Sequence, residues 1–88
     1  SPAAMPGADV QDRIAGLLQG LYINSAFRAL EKKLWSRMDL EYAVKEYMAI
    51  DKGPFTLADE TGRDAIKALL QHYYADTGFE AYRPSILL

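Results

Sequence analysis

The stretch Val10-Gln11-Asp12-Arg13-Ile14-Ala15-Gly16-Leu17-Leu18-Gln19-Gly20-Leu21-Tyr22-Ile23-Asn24-Ser25-Ala26-Phe27-Arg28-Ala29-Leu30-Glu31-Lys32-Lys33-Leu34 decides the fold. Val10, Ile14, Leu17, Leu18 and Leu21 recur with the spacing of one face of an α-helix. Ile23, Phe27, Leu30 and Leu34 repeat that period in a second stripe. At 100° per residue the second stripe points about 150° away from the first on an unbroken rod. Two readings follow. In one, the chain turns between Gly20 and Ser25, with Asn24 or Ser25 capping a new helix. In the other, one helix runs from about residue 9 to residue 37 and buries opposite faces at its two ends. The turn is preferred, because Gly20, Asn24 and Ser25 are all poor helix-interior residues.

Downstream, Ser36 and Asp39 carry the spacing of a capping box, so a helix starts near Asp39. Its apolar stripe is Leu40, Ala43, Val44, Tyr47 and Met48, and Glu41 with Lys45 forms an i,i+4 pair. Asp51-Lys52-Gly53-Pro54 stops it. Capping spacings at Thr56…Asp59 and Thr61…Asp64 offer two starts for a last helix, with Gly62 read as lying in its first turn. Ile66, Leu69, Leu70 and Tyr73 supply the buried face, and Gly78 is a C-terminal stop. The expected fold is all-α, a small bundle of three to four helices with an apolar C-terminal tail. Residues 1–8 read as a flexible leader rather than a signal peptide, and 9–78 as the bundle. Residues 79–88 read as a tail packing on the bundle or on a partner, through Phe79, Tyr82, Ile86, Leu87 and Leu88.

Composition narrows the function. With half of its 88 residues hydrophobic and a net charge of −2, the chain can bury a core and is not a disordered polyampholyte. It has no cysteine, which excludes disulfides and thiolate metal sites. No apolar run reaches the roughly 18 residues of a membrane helix, and a cytoplasmic protein without a membrane partner is expected. No cofactor and no metal site is expected either. Asp59, Glu60 and Asp64 crowd together, but their spacing matches no calcium loop.

Charge is uneven: residues 28–37 carry a net +3 and residues 38–64 a net −4. Such a bipolar surface suits docking to a charged partner. Six tyrosines and one tryptophan are too many for so small a core, and aromatics of this kind anchor interfaces. His72 and Asp76 stand at i,i+4, but no serine nucleophile lies near them. The reading reached is a non-enzymatic interaction module, an adaptor or regulatory subunit that self-associates or binds a protein partner. Its contact residues are Tyr22, Phe27, Leu34 and Trp35, with Arg28, Lys32 and Lys33 steering the partner. A small nucleic-acid-binding regulator is the alternative, from the basic cluster and a turn at Gly62. An accessory subunit of an enzyme complex is the third.

Overall fold

The structure, a computed structural model, describes residues 8–47 and 51–88. Residues 1–7 of the expected leader, and Met48 of the Leu40–Met48 stripe, lie outside the described residues, while Ala8 opens the first helix. The preferred turn at Gly20–Ser25 does not occur: α1 runs unbroken from Ala8 to Glu31. Tertiary contacts override the weak propensity of its middle. Helix α4 (Arg63–Thr77) crosses beside Gly20, where an added Cβ would meet Leu69, Leu70 and Ile66 at 3.7–4.0 Å. Asn24 spends its amide on the C-terminal tail rather than on a cap.

Helix α2 spans Arg37–Tyr47 and α3 spans Pro54–Thr61. A single 3₁₀ turn, Glu80–Tyr82, follows α4. Among the described residues there is no strand. The core gathers Ile23, Ala26 and Phe27 of α1 with Phe55 and Ala58 of α3 and Ile66 and Leu70 of α4. The Phe27 and Phe55 rings meet edge to face at 4.9 Å at its centre. The second apolar stripe supplies the core through Ile23 and Phe27, with Leu30 packed against it and Leu34 exposed beyond the helix end; of the first stripe, Leu21 packs against the core. The other end of the helix extends the molecule to 45 × 30 × 19 Å and leaves Val10, Ile14 and Leu18 exposed.

Each helix end has a local cause. Helix α1 closes with the paired bonds Leu34 N to Ala29 O and Lys33 N to Leu30 O, a Schellman ending that puts Lys33 at φ 58°. The Ser36–Asp39 capping box forms: Asp39 N donates to Ser36 Oγ at 3.1 Å and Ser36 N to Asp39 Oδ2 at 3.4 Å. The other two capping spacings do not, since neither α3 nor α4 has a side-chain cap of its own. Glu41 of α2 caps α3 instead, its Oε1 accepting from Phe55 N at 3.1 Å and Thr56 N at 3.3 Å. The carboxyl group fills the space a side chain at Gly53 would need. Gly62 lies not inside one helix but between two, at φ 98°. Gly78 ends α4 at φ 70°.

Candidate functional site

Helix α1 presents a polar line, Asn24, Arg28 and Glu31, along the edge of its buried stripe, and the C-terminal tail lies on it. Asn24 is fully buried: its Nδ2 donates to Arg83 O at 2.9 Å and its Oδ1 accepts from Ser85 N at 2.7 Å. Arg28 donates to the Glu80 carbonyl at 2.8 Å and faces the Glu80 carboxylate at 3.5 Å. Glu31 accepts from Ser85 Oγ at 2.8 Å and from Ile86 N at 3.3 Å. The Ser85 hydroxyl, the Ile86 amide and the positive charge of Arg83 and Arg28 together hold the Glu31 carboxyl below its ordinary value, against a smaller opposing effect of desolvation. Tyr82 and Leu88 then pack against the core.

Two of the three crowded acids, Asp59 and Glu60, are ion-paired. Asp59 lies 3.8 Å from Arg37 of α2 and 3.2 Å from Arg63 of α4. The two guanidinium groups lie over the Phe55 and Phe27 rings respectively, each 5.0 Å from the centroid. Glu60 holds Lys52 at 2.8 Å. His72 is exposed, its ring edge against Tyr73 at 5.4 Å.

The seven contact residues read from the sequence meet four different fates. Phe27 is 2% exposed and belongs to the core, so it offers nothing to a partner. Tyr22 is half-buried against the core; among the described residues its enclosed hydroxyl has no hydrogen-bond partner, and burial followed by the Glu41 charge pushes its pKa up. Arg28 is occupied by Glu80. Only Lys32, Lys33, Leu34 and Trp35 stand together on the surface, at the turn between α1 and α2. Trp35 borders a groove of about 400 Å³ with Asp39, Leu40 and Ala43. The apolar surface continues along α2 through Met38, Tyr42 and Tyr47.

The reading of the sequence missed the grip on the tail and the capping role of Glu41. The first had a signal. Asn24, Arg28 and Glu31 share a face at i, i+4 and i+7, beside an apolar stripe that must be covered.

These features define a small helical domain whose ordered tail belongs to its core. A protein-family profile described as the 3-hydroxyacyl-CoA dehydrogenase, C-terminal domain, matches residues 14–88. The chain belongs to that family. No curated protein and no solved structure matches it. The match overturns the reading of a non-enzymatic adaptor or regulatory subunit: the family is a domain of an enzyme. Among the described residues no helix is long and apolar enough to cross a membrane.

Proposed function

We propose that this chain is the helical domain of a 3-hydroxyacyl-CoA dehydrogenase and works against a dinucleotide-binding part that these 88 residues do not themselves form. The family match over residues 14–88 is the observation that carries this reading. Oxidation of a 3-hydroxyl to a ketone removes a hydride from carbon and a proton from oxygen, and the hydride passes to a dinucleotide. The residues here do not fit a dinucleotide. Glycines at positions 7, 16, 20, 53, 62 and 78 make no Gly-x-Gly pair. Among the described residues there is also no strand to feed a phosphate-binding turn. The chain is thus assigned substrate shaping and docking, not hydride transfer.

The docking face in this reading is the amino-terminal half of α1. Ile14 is 51% exposed and Leu18 61%, on a helix whose other half is buried. The dinucleotide-binding part is its occupant, because the reaction needs that part and substrate pockets form preferentially at domain interfaces. The test mixes the 88-residue chain with the dinucleotide-binding domain of a 3-hydroxyacyl-CoA dehydrogenase that lacks its helical domain. Reduction of acetoacetyl-CoA is followed by loss of reduced nicotinamide absorbance. Turnover that requires both components is the expected result. A dinucleotide-binding domain unaffected by the chain at micromolar concentrations contradicts the proposal.

A further inference from the structure

Helix α2 turns charge toward the body of the molecule. Arg37, Leu40, Glu41 and Val44 fall at i, i+3, i+4 and i+7, on one line along the helix. Arg37 lies over the Phe55 ring, and Glu41 caps Phe55 N and Thr56 N. Leu40 packs against the core, and Val44 is the one buried residue of the helix. The larger apolar side chains stay outside: Met38 is 82% exposed and Tyr47 81%, with Tyr42 beside Tyr47. The cluster of buried core residues closes without α2, since its members come from α1, α3 and α4. The main packing partner of α2 is α3. What holds α2 down is therefore largely polar. The ion pair of Arg37 with Asp59 is half-exposed and weak, which leaves the Glu41 cap as the stronger hold. Near that carboxylate the closed arrangement carries a penalty. The Tyr22 hydroxyl is enclosed with no hydrogen-bond partner among the described residues, and release of α2 would return it to water.

We propose that α2 is a strap, latched onto α3 by the Glu41 carboxylate, which releases as one unit and uncovers the Phe55 ring and the Tyr22 hydroxyl while α1, α3, α4 and the tail stay folded. Elements that open below the global transition are those with few buried apolar contacts, and α2 is such an element. The latch has a shape requirement at Gly53. That residue precedes α3 at φ −72°, a conformation open to any residue, yet a Cβ there would overlap the Glu41 carboxyl group. Glycine at this position serves the latch rather than the turn. The strap stands on the fold alone and is independent of the dehydrogenase reading.

The chain has no cysteine, so a single introduced thiol reports on a single place. Val44→Cys reads the strap and Ala58→Cys reads the core. Each is labelled in the 88-residue chain with an aromatic disulfide reagent, in the range where the rate is proportional to reagent and follows the open population. Val44→Cys should react about a hundredfold faster than Ala58→Cys. Ile66→Val weakens the core alone; it should speed Ala58→Cys about fivefold and leave Val44→Cys unchanged. Gly53→Ala should speed Val44→Cys about tenfold by expelling the carboxylate, and should add less than roughly twofold once Glu41→Ala has removed it. Amide exchange of the unsubstituted chain checks that the thiol has not itself loosened α2. The Val44 N–H should exchange about a hundredfold faster than the Leu70 N–H, with a weaker dependence on urea. Equal protection of those two amides overturns the proposal. So does a Val44→Cys rate that rises in step with Ala58→Cys on Ile66→Val, or a Gly53→Ala effect undiminished in the absence of Glu41.

Discussion

The two halves of α1 are one helix with two fates. From Ile23 onward its apolar face is sealed by α3 and α4, and its polar edge is gripped by the tail. Toward the amino terminus, side chains equally apolar stand in solvent at Val10, Ile14 and Leu18. Helical period and hydrophobicity are alike in both halves, so neither property determines which stripe becomes core. What decides is the presence of covering elements, and those are specified far away in sequence, at Phe55, Leu70 and Ser85.

The sharpest way to break this comparison is substitution on the two faces. Phe27→Ala should cost about 3–5 kcal/mol, because it opens a cavity against Phe55. Ile14→Ala should change stability by less than roughly 0.5 kcal/mol. Urea midpoints measure both, and similar losses would mean that the amino-terminal half is also packed.

Next in size is the polar edge. Asn24→Ala removes two hydrogen bonds and leaves the buried Ser85 N–H without an acceptor. The expected loss is about 2–3 kcal/mol, with the tail loosened in amide exchange. Smaller and opposite in sign is Gly20→Ala. The new methyl would make ordinary contact with Leu69 and Leu70, and removing a helix-interior glycine should stabilise by about 0.5–1 kcal/mol. A destabilised Gly20→Ala variant would show that α1 and α4 pack more closely than 3.7 Å allows.

The smallest effect is on pH dependence. Glu31 has a folded pKa below its ordinary value of 4.5, first through the Ser85 hydroxyl. Its contribution is therefore fully present above the unfolded pKa and is lost as the pH falls through the lower folded value. Glu31→Gln should flatten the stability profile below about pH 4.5 while leaving the profile between pH 6 and 8 unchanged in shape.

Much of the fold could be read directly from residue spacing. The helical class, the Ser36–Asp39 cap and the Gly78 stop depend on neighbours in sequence, and local physics governs them. The continuity of α1 was not legible, because Gly20 and Asn24 are rescued by partners some 46 to 61 residues away. The Glu41 cap on α3 was hidden for the same reason: its partners come from another helix. Of the surface residues singled out, Lys32, Lys33, Leu34 and Trp35 do share an exposed turn. Phe27 sits in the core because its stripe was the one that found cover.

Hydrogen–deuterium exchange of α1, with and without the dinucleotide-binding domain, tests the central claim most directly. Residues 8–18 should exchange rapidly in the free chain and slow at least tenfold in the mixture, with residues 23–31 protected in both. Unchanged exchange at 8–18 under conditions that restore turnover would contradict the assignment of this half-helix as the docking face.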